Sequence, residues 1–442
     1  MSTSRRFINE SAIYLLGNLA TRAVSFALMP FYTRLLSPEE LGAVAFGNTV
    51  GALASLILGF GAHSALSRYL PTAQEDQQKQ WLGTSLTAVG VGPLVLLAVV
   101  AGGLSVLGKS SIGSLPVWPD LWLVLLGAWA SVLPGMATQW FVSTHRPSGA
   151  ALLSVVSVTL QVGLSVFAVL GLGAGVTGVF AAYAVAQVVL AGLSVGWLAL
   201  SPGLKWQPAL LRPLLLFAAP VVVHLFANWV LSISDRLLLE RFAGEGVLAV
   251  YAVAYLFNLA LTTMTSALAQ ALGPMFVRAA AAGDRAHEIV RIGQWFMAIT
   301  LSASVVLAWI APELLHFVAP RREYAAALPL LPWLIAGGAF QGFYFLMSQG
   351  SWYAGSTQKI ALLTSVAALL NLGLNLWWIP QYGALGAAWS TAASYALLAL
   401  LHDRAAQRQH EMAWPYRVWG VGVLVAALLI WLAQTRSALA GH

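Results

Sequence analysis

Blocks of twenty or more apolar residues alternate with short polar stretches from one end of the chain to the other. A helix needs about 20 apolar residues to cross the roughly 30 Å hydrocarbon layer of a bilayer. On that measure the pattern predicts thirteen spans, at 11–33, 42–66, 81–107, 119–142, 149–171, 176–199, 212–238, 248–273, 291–312, 326–350, 359–379, 384–402 and 416–433. Helix breakers fall between the blocks, among them Ser37-Pro38, Pro71, Pro116, Ser201-Pro202-Gly203 and Pro380. The longest polar stretches, near 67–80, 274–290 and 403–415, are each under twenty residues and leave no room for a soluble domain.

Composition agrees. Of 442 residues, 59% are hydrophobic and 8% charged, against roughly 25% charged in soluble domains. A surface so poor in charge excludes a soluble enzyme, a nucleic-acid-binding module and a disordered scaffold. The absence of cysteine excludes disulfides, thiolate metal sites and thiol nucleophiles. The start, Met1-Ser-Thr-Ser-Arg5-Arg6 ahead of an apolar stretch, reads as a retained first helix rather than a signal peptide.

The net charge of +7 is a topological signal rather than a nucleic-acid footprint, because the basic residues never form a run. With the N-terminus in the cytoplasm, 14 Lys and Arg fall on the cytoplasmic side and 7 outside, with Arg22 within the membrane. The excess obeys the positive-inside rule.

The pattern also contains a duplication. Shifting 121–165 by 210 residues onto 331–375 gives ten identities in forty-five ungapped positions, with Gly127 on Gly337 and Gln139 on Gln349. After a two-residue slip, Gly175-Val-Thr-Gly178 meets Gly383-Ala-Leu-Gly386. The shift carries six spans onto six, so the halves run parallel. An all-α polytopic membrane protein is expected, with two six-helix lobes around a central cavity and one or two further C-terminal helices. The lobes would cover 1–200 and 201–405, with an additional helix and tail over 406–442. Duplicated lobes about a cavity suit alternating access.

Polar residues within the spans mark where that cavity would be lined. The first span places Tyr14, Asn18, Arg22 and Ser25 on one helical face, with Arg22 too deep to reach the surface easily. The second offers Asn48, Ser55, Gly59 and His63; the seventh His224, Asn228, Ser232 and Asp235; the eighth Tyr251, Tyr255, Asn258 and Thr262, with Gln270 nearer its end. The candidate cavity set is therefore Asn18, Arg22, Asn48, His63, His224, Asn228, Asp235, Asn258 and Gln270. Gln139, Gln161, Gln349, Asn371 and Asn375 read instead as glue between helices. Asp235 and Arg236, adjacent and about 100° apart on a helix, are not expected to pair, and a place at the membrane interface competes with a cavity role for both. A lining of one deep arginine, two histidines and few acids suits a large, anionic, amphiphilic cargo.

Chemical motifs are absent or spurious. Gly103-Leu-Ser-Val-Leu-Gly108-Lys109-Ser110 matches the phosphate-binding loop letter for letter, yet it ends a membrane span with no following helix expected. His287-Glu288 and His410-Glu411 lack the second histidine of a zinc helix. Neither a catalytic constellation nor a resident cofactor is expected.

Three stretches resemble a known family. Pro30-Phe-Tyr-Thr-Arg-Leu-Leu-Ser-Pro-Glu-Glu-Leu-Gly42 resembles the R-L-L-x-P-x-E-x-G turn of bacterial polysaccharide flippases. Ser234-Asp235-Arg236-Leu-Leu-Leu, followed by Gly246 and Tyr251-Ala-Val-Ala-Tyr255, resembles their helix 7–8 junction. Ile379-Pro-Gln-Tyr-Gly383-Ala-Leu-Gly386-Ala-Ala resembles their helix 11–12 turn. Over residues 5–405 the chain is similar to the Wzx-type flippases of the multidrug/oligosaccharidyl-lipid/polysaccharide exporter superfamily.

The resemblance implies a V-shaped, two-lobed bundle in the bacterial inner membrane. It implies transfer of undecaprenyl-diphosphate-linked oligosaccharide, an O-antigen, capsule or exopolysaccharide unit, from the cytoplasmic to the periplasmic leaflet. It further implies coupling to a proton or sodium gradient and work alongside a glycan polymerase and glycosyltransferases, with no nucleic-acid partner. The family's cationic lumen maps onto Arg22 and the neighbouring polar faces. Members usually have twelve or fourteen helices, so thirteen leaves the side of the tail open. The alternatives are an ion-coupled multidrug antiporter of the same superfamily, which would want more membrane acids than this chain has, and a polytopic glycan polymerase or ligase, which would want a large outer loop.

Overall fold

Apolar runs with few charges become helices in a membrane because each backbone N–H and C=O must find its partner within the segment. The computed structural model describes residues 28–144, 146–281, 285–353, 357–407 and 415–440. Residues 28–35 form α1. There follow α2 (Pro38–Leu58), α3 (Ala62–Tyr69), α4 (Glu75–Val106), α5 (Trp122–Ser143), α6 (Pro147–Val166), α7 (Gly175–Leu200) and α8 (Leu211–Ala243). The remainder is α9 (Glu245–Ala281), α10 (Arg285–Val318), α11 (Leu331–Tyr353), α12 (Thr357–Tyr382), α13 (Ala384–Gln407) and α14 (Tyr416–Ala440).

Among the described residues, eleven helices are long and apolar enough to cross a membrane. Each corresponds to one predicted span, from 42–66 to 384–402. Most of the span predicted at 11–33 lies outside the described residues, and α14 carries a shorter apolar run, Trp419–Trp431. The chain is an all-α, multi-pass membrane protein.

Two sequence expectations are corrected. The span predicted as continuous over 42–66 breaks at Gly59-Phe60-Gly61, where Phe60 (φ 47°) and Gly61 (φ 65°) adopt left-handed backbone. Phe60 and Ala62 donate their N–H groups to Ile57 and Gly59, three residues back rather than four. The loop expected over 274–290 is mostly helix, because α9 continues to Ala281 and α10 begins at Arg285. At 1.5 Å per residue, the 37 residues of α9 extend about 55 Å, well beyond the hydrocarbon layer.

Local signals set the ends. Ser37-Pro38 opens α2, with Glu39 and Glu40 in its first turn facing the positive end of the helix dipole. Gly244 (φ 86°) reverses the chain between α8 and α9, donating its N–H to Leu239 and Glu240, and that left-handed backbone is what a residue without Cβ supplies.

The chain divides into two compact units, 1–28 with 39–226 and 29–38 with 227–442, the second boundary falling inside α8. In the first unit, Leu66, Leu70, Leu82, Val89, Met136 and Leu198 pack into a core joining α3, α4, α5 and α7. In the second, Phe296, Met297, Phe343 and Leu346 join α10 and α11, and Leu231, Ala367 and Tyr395 join α8, α12 and α13.

Packing repeats the duplication. The most extensive helix contact in the first unit is α5 on α7, and in the second the equivalent α11 on α13. A Cβ on Gly127 would meet the Tyr183 ring, and a Cβ on Gly337 would meet Thr391; Tyr183 and Thr391 are themselves equivalent after the two-residue slip. A Cβ on Gly178 would press on Ala168, and one on Gly386 would lie 2.5 Å from the carbonyl oxygen of Trp378, the equivalent of Ala168 under the 210-residue shift. The shared geometry of these close approaches is what kept small residues in register in both halves.

Within the second unit, two arginines cap each other's helices. Arg34 of α1 donates to the Phe317 carbonyl in the last turn of α10 (2.8 Å) and to Pro30 (2.7 Å). Arg321, just past α10, donates to the Leu36 and Arg34 carbonyls at the end of α1 (2.8 and 2.9 Å). Carbonyls in a last helical turn have no intrahelical donor, and a guanidinium satisfies them while matching the dipole. The arginine of the Arg34-Leu-Leu-Ser-Pro38 turn thus has a structural task.

Candidate functional site

Within the second unit, polar side chains of α8, α9 and α13 meet in one cluster. Asp235 on α8, only 3% exposed, accepts a hydrogen bond from the hydroxyl of Tyr251 on α9. The same hydroxyl lies 3.3 Å from Thr391 Oγ1 on α13. One turn before Asp235, Ser232 shares a 3.0 Å hydrogen bond with Tyr395 of α13, and its carbonyl accepts from Tyr255 of α9 at 3.3 Å.

Arg236 completes the cluster and corrects the expectation that it would not pair with Asp235. Its Nη1 lies 3.5 Å from Asp235 Oδ1. The side chain bends back along the helix to donate to the Ser232 carbonyl at 3.1 Å, and its guanidinium stacks 4.2 Å from the centre of the Tyr255 ring. The 100° between adjacent Cβ directions does not limit a side chain this long. Buried opposite charges, each hydrogen-bonded and one stacked on an aromatic face, form the arrangement in which charge is tolerated away from water. An interfacial reading of Asp235 does not fit its burial.

The first unit carries a smaller, uncharged counterpart. Ser55 of α2 donates to the Ala128 carbonyl (3.1 Å) and shares a 3.2 Å hydrogen bond with Ser131 of α5. The Tyr183 hydroxyl of α7 joins both serines. Tyr183 corresponds to Thr391, so equivalent positions carry the polar crossing in each half.

The other candidates separate. Asn18 and Arg22, with Tyr14 and Ser25, lie outside the described residues. Asn48 on α2, Asn228 on α8 and Gln270 on α9 are exposed, Gln270 holding the Ser266 carbonyl at 3.2 Å. His63 is exposed on α3, past the break, so it no longer continues the α2 stripe; it hydrogen-bonds the Gly135 backbone. His224 is half-buried on α8, and its Nδ1 has no partner among the described residues. Asn258 is 1% exposed, donates to the Leu334 carbonyl at 2.8 Å and packs on Gly337 and Gly338. It ties α9 to α11 rather than facing open space. Of the residues expected to act as glue, Asn371 and Asn375 bond each other at 2.9 Å while fully buried and Gln139 bonds Ser143 at 3.1 Å, but each of these bonds lies within one helix, α12 or α5, and joins no two helices.

Thr391 and Tyr395 were missed from the sequence. Their signal is the run Ser390-Thr391, Ser394-Tyr395, a polar face at helical spacing in an otherwise apolar span. The phosphate-loop look-alike is not followed by a helix: α4 ends at Val106 and Ser111–Ile112 pairs with Leu115–Pro116 as a small antiparallel hairpin. Among the described residues no group of three or more His, Asp or Glu could hold a metal ion.

The family model described as "Polysaccharide biosynthesis protein" matches residues 7–280, and the model described as MatE matches residues 220–377. The structure is similar to that of the lipid II flippase MurJ in an inward closed conformation, with a TM-score of 0.72 at 12% identity over 96% of this chain and 98% of that one. It is also similar to a mutant of the Vibrio cholerae MATE transporter VcmN, with a TM-score of 0.65 at 17% identity over 92% and 97% of the two chains. A transporter of the MOP superfamily from Pyrococcus furiosus has a TM-score of 0.64 at 16% identity over 91% and 95%. At these identities the likeness is one of fold. In sequence, an uncharacterized membrane protein of Haemophilus influenzae is 34% identical over 62 residues, 14% of this chain and 15% of that protein, so the chain spans a small part of the curated relative it matches.

Proposed function

This chain belongs to the polysaccharide biosynthesis protein family, and on that premise we propose that it moves a lipid-linked oligosaccharide across the bacterial inner membrane. It is a flippase or transporter of the multidrug/oligosaccharidyl-lipid/polysaccharide exporter superfamily; the cargo and the direction are our reading. The family match over 7–280 carries it.

Pyrophosphate and sugars cannot enter hydrocarbon alone, since burying unpaired charge costs many kcal/mol. A lining with Arg22, histidines and amides would shelter such a head while its lipid chain stays in the bilayer. The N-terminal lobe (1–200), the C-terminal lobe (201–405) and the tail (406–442) would work by alternating access, with the N-terminus cytoplasmic and a proton or sodium gradient as the driving force. Asn18, Arg22, Asn48, His63, His224, Asn228 and Gln270 are the proposed cargo-facing set. Asp235 and Asn258 support it from within the second unit. A glycan polymerase and glycosyltransferases are the proposed partners.

The test is the sidedness of lipid-linked oligosaccharide in a deletion strain, read with a membrane-impermeant lectin or glycosidase. Accumulation on the cytoplasmic leaflet is expected, restored by the wild-type gene and not by Arg22→Ala. Normal outward delivery in a strain without a redundant flippase overturns the reading. The MatE match over 220–377 favours one second reading, a multidrug antiporter. Drug sensitivity on deletion with unchanged glycan sidedness would select it.

A further inference from the structure

Within the first unit, α6 and α7 enclose a cavity of about 960 Å3 near the end where α6 begins and α7 finishes. Its floor is glycine: no heavy atom lies within 4 Å of where a Cβ would stand on Gly192 or Gly196. Leu152, Val156, Leu193 and Trp197 form its walls, and Leu152 and Leu193 are exposed at its edge. Phe141 holds one rim in place, its ring tilted 33° against that of Trp197 with centres 4.6 Å apart and packed so closely on Gly149 that a Cβ there would collide.

The dimensions fit one leaflet. The lining runs from Ser148 to Val156 on α6 and from Gly192 to Leu200 on α7, about 12 Å in each case at 1.5 Å per residue. Half of the roughly 30 Å hydrocarbon layer is roughly 15 Å. Both helices are long and apolar enough to cross a membrane, and Leu152 and Leu193, exposed at the groove's edge, give it the apolar rim an acyl chain would meet.

Its polar groups sit at the surface end and at one point on the wall. Arg146 stands at the N-terminus of α6, its guanidinium stacked 4.8 Å from the centre of the Trp140 ring. Stacking occupies the face of a guanidinium and leaves the edge donors for an oxyanion. The lining contains no carboxylate to compete for them. One turn below Trp197, Ser194 is 4% exposed, lines the groove, and its Oγ has no hydrogen-bond partner among the described residues. A buried hydroxyl is costly until something accepts its proton.

We propose that this groove is a binding site for an anionic membrane phospholipid. The phosphate lies against Arg146, an ester carbonyl accepts from Ser194, and one acyl chain follows the Gly192–Gly196 floor. The site rests on the membrane location of the chain alone and not on the identity of its cargo.

The test uses the full chain in vesicles containing a phospholipid with a diazirine in its acyl chain, with phosphatidylglycerol and phosphatidylcholine heads in separate arms and a diazirine-bearing polyprenyl phosphate in a third. Adducts are mapped by mass spectrometry. Phosphatidylglycerol adducts are expected to concentrate on 149–156 and 192–200. They should exceed phosphatidylcholine adducts there by about tenfold, the scale of one or two hydrogen bonds to a charged group. Gly196→Leu fills open space and should abolish these adducts while those on other helices persist, which also reports that the variant folds. Arg146→Gln should bring phosphatidylglycerol down to the phosphatidylcholine level. Adducts spread evenly over lipid-facing helices, equal labelling by both heads in the wild type, insensitivity to Gly196→Leu, or labelling by the polyprenyl probe in preference to phosphatidylglycerol would each overturn the assignment.

Discussion

Tyr251 donates its hydroxyl proton to the carboxylate of Asp235, joining α9 to α8 inside the second unit. Tyr251→Phe removes the donor and keeps the ring, leaving a buried acceptor short of a partner at a cost of about 1–3 kcal/mol. Asp235→Ala costs more, about 3–5 kcal/mol, because it strands the Arg236 guanidinium without its counter-charge. Thermal unfolding of the purified protein, followed by intrinsic tryptophan fluorescence, should rank Asp235→Ala below Tyr251→Phe and both below wild type. An Asp235→Ala variant as stable as Tyr251→Phe would show that the Asp235–Arg236 pair adds nothing.

The reciprocal caps of Arg34 and Arg321 predict a local effect. Arg321→Ala removes donors from the Arg34 carbonyl in the last turn of α1 and the Leu36 carbonyl just past it, each charged hydrogen bond contributing about 1.5–3 kcal/mol. Amide hydrogen exchange should accelerate in 29–38 and in the last turn of α10, with little change in α5 or α7. Arg321→Lys should recover only part of the protection, since one ammonium cannot span two carbonyls as the guanidinium fork does.

Two glycines should respond in opposite ways to the same substitution. In Gly386→Ala the new methyl meets the Trp378 carbonyl oxygen, a backbone atom that cannot rotate aside, so a loss of about 1–3 kcal/mol is expected. Gly373→Ala, inside α12 with open space around it, should gain about 0.5–1 kcal/mol from the higher helix preference of alanine. Melting temperatures in one detergent decide, and equal shifts would refute the close approach at Gly386.

Lys109 offers a negative control. It is exposed in the turn between α4 and the 111–116 hairpin, so Lys109→Ala should leave oligosaccharide delivery at wild-type level. A loss of delivery comparable to that of Arg22→Ala would reopen the phosphate-loop match.

The spans were legible because a bilayer converts apolar length directly into helix, and the duplication because Gly127 and Gly337 sit close to neighbours at equivalent positions, Tyr183 and Thr391. Side-chain partnership was less legible. A helical wheel records Cβ directions, and Arg236 escapes it by bending back to Ser232 before meeting Asp235. Asn258 stood on a polar face, but the sequence does not say whether that face meets water or, as here, the Leu334 carbonyl. Thr391 and Tyr395 were overlooked because their polar face is short and lies more than 130 positions from the residues they join.

The break at Gly59-Phe60-Gly61 has a consequence for hydration. Phe60 and Ala62 withdraw their N–H groups from Leu56 and Leu58, releasing two carbonyls from the α-helical ladder midway along an apolar run. Hydrocarbon charges several kcal/mol for each such group left dry. The interruption therefore marks a depth at which the first unit must admit water or supply protein donors, and the carbonyls of Leu56 and Leu58 are where a solvent molecule would first be held.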